Sequence, residues 1–119
     1  MGVFTIKAKF YNPRGPQGPI VEEVWVDTGA TYSGLASSTL RNLGIEPEGR
    51  REATLADGRI VARDYAIIGL EIEGERGLVP VTFKEEGSPG IIGATALELL
   101  GFWVDPVEKR LIRRLPIVR

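Results

Sequence analysis

Histidine and cysteine are both absent from this 119-residue chain, and the two absences remove whole classes of chemistry. Without cysteine there are no disulfides, thiol nucleophiles or thiolate metal sites, although the lack does not by itself fix a reducing compartment. Without histidine there is no Ser-His-Asp or Cys-His machinery and no imidazole zinc site. A hydrolase built on this chain must work with carboxylates, lysines or tyrosines, and no metal or other cofactor is expected. Long apolar runs are lacking too: none approaches the roughly 20 residues that span a bilayer. The opening Met1-Gly2-Val3-Phe4-Thr5-Ile6-Lys7 does not have a signal-peptide layout, so the expectation is a cytoplasmic protein with no membrane partner.

An excess of one charge sign is also missing. Fifteen basic and 16 acidic residues leave a net charge of −1, which gives the molecule little general attraction for nucleic acid or anionic membranes. Basic residues do gather at positions 109–119, but apolar residues interrupt them and no aromatic platform lies among them. That tail reads as a strand with one solvated face, with no nucleic-acid partner expected. What is present, 43% hydrophobic and 26% charged residues, suits one domain over residues 1–119 with a modest core.

Along the chain, residues 3–10 alternate apolar and polar, the period of a half-exposed strand. Residues 11–19 hold three prolines and two glycines and read as a loop joining two strands of one sheet. Residues 20–26 form the second strand. Further on, the serines at 37 and 38, Leu40, Leu43 and Gly44 outline a helix of about two turns with a serine cap. Residues 51–55 and 59–72 are strand-like around Ala56-Asp57-Gly58, and Asp-Gly is a hairpin signal; the first part of the second run can project as an arm. Gly74 and Gly77 bracket a turn into a strand over residues 78–83, and residues 84–90 form a polar loop. Ile91-Ile92-Gly93 then leads to a helix in which Thr95 and Glu98 have capping-box spacing and Gly101 is the stop. Strands at residues 102–104 and 109–118 flank a turn at Asp105-Pro106. Strand, glycine turn and short helix thus occur twice, at residues 24–43 and 91–100, which hints at a duplicated half-fold.

The stretch Val24-Trp25-Val26-Asp27-Thr28-Gly29-Ala30 places one acid on a tight turn directly after a buried strand. Gly29 permits backbone geometry that other residues resist, and Thr28 sets a hydroxyl beside the acid. Asp27 is therefore the candidate catalytic residue, while the triplet alone equally suits a plain hairpin close.

The order of the parts resembles the retropepsin-like aspartic proteases, the single-domain family of retroviral proteases and their cellular and bacterial relatives. Four features carry the resemblance: Val26-Asp27-Thr28-Gly29-Ala30; the Asp57-Gly58 hairpin leading to Arg63-Asp64-Tyr65; Ile91-Ile92-Gly93 with its helix; and Leu99-Leu100-Gly101-Phe102-Trp103-Val104-Asp105. The resemblance implies a mainly β, small, closed, barrel-like acid-protease fold with one or two short helices and a flap hairpin. It implies an aspartic endopeptidase acting on peptide or protein substrates. Asp27 would be the catalytic aspartate, Thr28 the brace to the partner subunit's loop, and Gly29 a backbone contact to substrate. Asp57-Gly58 would be the flap tip, and Ala30, Asp57, Gly58, Ile60 and Ile92 would border the substrate, with Tyr32, Leu35 and Tyr65 as further candidates for apolar subsites.

Viral members usually carry an Asp two residues after the motif glycine and an Arg after the Ile-Ile-Gly glycine. Here Thr31 and Ala94 take those places, so both partners of that ion pair are missing together and no buried charge is stranded. Only one Asp-Thr-Gly is present, and Asp64 and Asp105 are read as structural. The second carboxylate of an aspartic protease must then come from another copy, in a two-fold homodimer. A catalytically silent dimeric β-module that binds peptides or protein partners remains the alternative, since fold does not fix function.

Overall fold

Alternation along the first strand decides which way it faces. In the computed structural model, which describes residues 3–119, β1 (Phe4–Tyr11) buries Phe4, Ala8 and Phe10 and leaves Thr5, Lys7 and Lys9 exposed. Met1 and Gly2, where the segment read for a targeting signal begins, lie outside the described residues. The other strands are β2 (Ile20–Val26), β3 (Ser33–Ala36), β4 (Gly49–Thr54), β5 (Ile60–Ile72), β6 (Glu75–Lys84), β7 (Ile91–Ile92), β8 (Phe102–Asp105) and β9 (Arg110–Arg113). Two short helices, α1 (Ser37–Asn42) and α2 (Ala94–Leu100), complete a mainly β architecture.

Seven strands form one sheet in the order β1-β2-β7-β3-β6-β5-β4, and a further pairing of β1 with β5 closes six of them into a ring. That closure runs through Lys9 to Tyr11 against Gly69 to Glu71. Closing a sheet on itself removes exposed edges and encloses one core. Phe10, Val26, Ile68, Val79, Val81 and Ile92, from five different strands, are all fully buried there.

Besides its closing contact with β1, β5 serves two neighbours along its length. Its second half pairs with β6 from Tyr65 to Ile72, while its first half pairs with β4 alone. The β4–β5 hairpin therefore stands out as the arm anticipated from its long strand, and Ile60 near its tip is exposed. β8 and β9 make a separate two-stranded sheet, and residues 114–119 beyond it are irregular and exposed, so the tail strand is shorter than expected.

One turn lies elsewhere than the glycine spacing predicted. The β5–β6 turn is Glu73-Gly74, both at positive φ (49° and 83°), the two-residue geometry whose twist suits a hairpin. Gly77 instead lies inside β6, where a Cβ would come 2.8 Å from the Leu100 side chain; this glycine makes room for α2. Among the described residues no helix is long and apolar enough to cross a membrane.

Candidate active site

Val24 and Val26 bury the end of β2, and Asp27 follows where β2 leaves its parallel neighbour β7. The Asp27 N–H donates to the Ile92 carbonyl at 2.9 Å, and the Ala30 N–H closes the turn on the Asp27 carbonyl at 3.2 Å. Asp27 Oδ1 accepts the Gly29 N–H at 2.9 Å. A Cβ on Gly29 would come within 3.2 Å of that same oxygen, so glycine keeps the carboxylate uncrowded. Asp27 is half-buried, Thr28 and Gly29 are exposed, and Ala30 is half-buried. The acid thus faces accessible space while its backbone is fixed.

A second turn holds the first. The Gly93 N–H donates to the Oγ of Ser33 at 3.0 Å, the Ala94 N–H to the Ala30 carbonyl at 2.7 Å, and the Thr95 N–H to the Thr31 carbonyl at 3.1 Å. A side chain at Gly93 would meet the Tyr32 carbonyl group at 2.7 Å and the Ala30 oxygen at 2.8 Å, so backbone packs directly on backbone. Thr31 and Ala94 each join this contact through main chain, Ala94 to Ala30 and Thr31 to Thr95.

These bonds also overturn the expected capping box. α2 begins at Ala94 with Gly93 as its cap residue and no side-chain cap, because carbonyls of the Asp27 loop already take the N–H groups of Ala94 and Thr95. The free N–H groups of a first helical turn need partners of some kind, and here the candidate site supplies them. The serine cap on α1 is likewise absent: Ala36 is the cap residue. The first turn is held by Glu86, which accepts both the N–H and the hydroxyl of Ser38. Those two bonds hold the Glu86 carboxyl below the usual carboxylate range, the hydroxyl contributing most.

Sequence-derived candidates separate into those the fold brings together and those it holds elsewhere. Asp27, Thr28, Gly29, Ala30 and Ile92 meet at the two turns. Ile92 is fully buried, so what it gives the site is its carbonyl. Leu35 is also core. Asp57, Gly58 and Ile60 sit on the arm, exposed, with the Asp57 carboxylate taken by the Arg59 N–H (3.0 Å) and guanidinium (2.7 Å). Tyr32 and Tyr65 line a cavity of about 270 Å³ with Arg51, Pro80 and Thr82. Thr28 and Ala94 border a larger one, about 390 Å³, against Trp103, Arg114 and Ile117. Asp64 pairs with Arg50 at 2.8 Å, and Asp105 caps its own turn by accepting the N–H groups of Val107 and Glu108, both at 3.1 Å. Among the described residues no group of three or more acidic side chains is placed to hold a metal.

Two residues with a part in the site escaped the sequence reading. Ser33, the only buried polar residue among those described, sits in a four-residue strand too short to show a period. Lys84, at the end of β6, lies close enough to Asp27 for the carboxylate to support its charge, although burial and then the Arg63 charge together hold it below the ordinary lysine range. Alternation along β6 puts Lys84 on the non-core face with Thr82, but nothing in the sequence places that face beside Asp27.

A family model described as aspartyl protease matches residues 17–96. That stretch takes in both turns and the arm and stops within α2, leaving β8, β9 and the tail outside it. No curated protein matches the chain.

Proposed function

The chain belongs to an aspartyl protease family of the retropepsin-like clan, and from there we propose that it is an aspartic endopeptidase working as a homodimer. Residues 1–119 act as one domain in each subunit, and each subunit contributes one Asp27 to a shared site. The observation that carries this reading is the presentation of Asp27: a half-buried carboxylate at the end of a buried strand, its Oδ1 on the Gly29 N–H at 2.9 Å.

Two carboxylates roughly 3 Å apart cannot both ionise cheaply and so share one proton. The ionised one takes a proton from water as its oxygen attacks the peptide carbonyl, and the protonated one gives its proton to the carbonyl oxygen. Proton delivery to the amide nitrogen then releases the amine as the C–N bond breaks. One Asp-Thr-Gly per chain supplies half of this arrangement, and a two-fold axis supplies the rest. Thr28, exposed and bordering the 390 Å³ cavity with Ala94, would brace the partner's loop. The β4–β5 arm would close as a flap, with Gly58 and Ile60 over an extended peptide bound by strand-like hydrogen bonds.

Asp27→Asn is expected to lower cleavage by about 10²–10⁴-fold or more while leaving the thermal unfolding transition in place. Undiminished cleavage by a pure sample of the variant overturns the assignment. Cleavage should sediment with the dimer and favour acidic pH, with a titration that belongs to the pair of carboxylates; an active monomer would remove the shared site. Peptide binding with no cleavage under any condition would hand the fold to a non-catalytic binding role.

A further inference from the structure

The chemistry proposed above uses nothing on the non-core face of β6, yet that face runs up to Asp27 and is rich in positive charge. Val79, Val81 and Phe83 point into the core, while Pro80, Thr82 and Lys84 alternate onto the other face, half-buried. Across the ladder, Ile67 lies opposite Pro80 and Tyr65 opposite Thr82. Two residues further on, the same alternation carries β5 to Arg63 alongside Lys84. Arg63 is paired in turn with Arg51 of β4, whose guanidinium lies 5.3 Å from the centre of the Tyr65 ring. A strip therefore leads from the 270 Å³ cavity, bordered by Tyr32, Tyr65, Thr82 and Arg51, to the cations of Arg63 and Lys84 beside Asp27.

Lys84 is held in place over a glycine. Its stem lies where any side chain on Gly34 would go, with Cδ and Cγ 2.7 and 2.9 Å from an ideal Cβ there. Gly34 is paired with Ile91, next in sequence to the residue whose carbonyl holds the Asp27 N–H. The Lys84 ammonium donates to the Pro89 carbonyl at 2.7 Å, a neutral acceptor, and an ammonium has three donors. Of the anions nearby, Asp27 supports the Lys84 charge from one side, and the two glutamates are spent elsewhere or solvated. Glu48 accepts the Ile67 N–H at 2.6 Å and the Arg14 guanidinium at 3.2 Å, and Glu85 meets Arg63 only at 3.7 Å with an exposed side chain. Two partly desolvated cations side by side are unfavourable, and a carboxylate arriving between them relieves the repulsion and gains charge-assisted hydrogen bonds.

We propose that this strip is a specificity subsite that selects a substrate carrying Asp or Glu close to the bond cleaved at Asp27, with Lys84 and Arg63 receiving the carboxylate. The proposal rests on the protease reading for the ligand's being a peptide.

The test uses the full chain and peptide pairs that differ only by Glu against Gln at each position flanking the cut. At one position the Glu peptide should have a kcat/KM about 10-fold or more above its Gln twin, the scale of a hydrogen bond to a charged group. Lys84→Met and, separately, Arg63→Gln should bring that ratio towards one. Lys84→Glu should invert it in favour of a Lys-bearing peptide, which loss of structure alone cannot do. Uncleavable reduced-amide versions of the same pairs, titrated against the Asp27→Asn protein, should show the same preference in Kd. Equal handling of Glu and Gln at every position, or a preference that survives both Lys84→Met and Arg63→Gln, overturns the subsite. If no peptide is cleaved, the protease reading fails and the binding arm decides the subsite: tighter binding of the Glu peptides supports it, and equal or absent binding overturns it.

Discussion

The two aspartate-glycine turns of this chain are alike locally and different in every tertiary respect. At Asp27 the carboxylate accepts the N–H of Gly29, two residues on, at 2.9 Å; at Asp57 it accepts the N–H of Arg59, again two residues on, at 3.0 Å. Aspartate makes such turns from its own short side chain. Around Asp27, however, the backbone is clamped by Ile92, Gly93, Ala94 and Thr95, with Ser33 beneath. Around Asp57 the Leu55 and Gly58 N–H groups bond within the hairpin itself, the surface is open, and the second carboxylate oxygen is neutralised by Arg59 at 2.7 Å. A fixed backbone with an accessible acid suits catalysis. A loosely held tip with a spent acid suits a part that moves.

Substitutions that sharpen or break this contrast rank by how much packing surrounds each site. Gly93→Ala should be the most damaging, because its methyl group meets two backbone carbonyls that cannot swing aside. A loss of about 1–3 kcal/mol or more is expected in urea unfolding, with cleavage falling alongside. Ser33→Ala comes next: it strands the buried Gly93 N–H at a cost of about 1–3 kcal/mol, and if Ser33 only braces the turn, cleavage should fall without a change in the acid limb of its pH profile. At the arm, Gly58→Ala meets no atom within 4 Å and strains only its φ of +90°, so about 1 kcal/mol is expected. Should Gly58→Ala prove as costly as Gly93→Ala, the arm is held as firmly as the turn and the contrast fails. Asp57→Ala removes an exposed pair and should change stability by less than about 1 kcal/mol.

The smallest effect is one of pH. Glu86 is held below the usual carboxylate range in the folded chain, its Ser38 hydroxyl bond acting first. A carboxylate lowered on folding stabilises above its unfolded value, near 4.3, and that contribution is lost as pH falls through the lower folded value. Thermal unfolding of Glu86→Gln should therefore fall less steeply with acidification than that of the parent chain, with the difference confined to acid pH. Parallel acid limbs would show that Glu86 does not fasten the loop to α1.

Strands were legible wherever one face is core and the other is water. Residues 3–10 declared themselves by alternation and the second strand by the apolar run Val24 to Val26, and the long run ending at Ile72 announced the arm as well as the sheet. β3 was silent because Ser33 and Gly34 are buried for reasons of contact with Gly93 and Lys84, which no local pattern encodes. Gly77 misled for a similar reason: it is a glycine for the benefit of α2, not of a turn. Both helices were recognised from their leucines and closing glycines, but their first turns are held from afar, by Glu86 and by the Asp27 loop, so capping signals misplaced their starts.

By itself the sequence determined that this chain works without imidazole or thiol, that Asp27 sits on a turn after a buried strand, and that the order of its motifs resembles that of an aspartyl protease family. These follow from residue identity, short-range geometry and alternation, all of which act over a few neighbours. Tertiary structure alone decided which of two similar aspartate turns is clamped, where the first N–H groups of each helix find their partners, and which cation faces the acid. Each of those depends on contacts between residues some 50 or 60 positions apart, such as Gly93 with Ser33 and Ser38 with Glu86, and only closing the ring of strands brings them together.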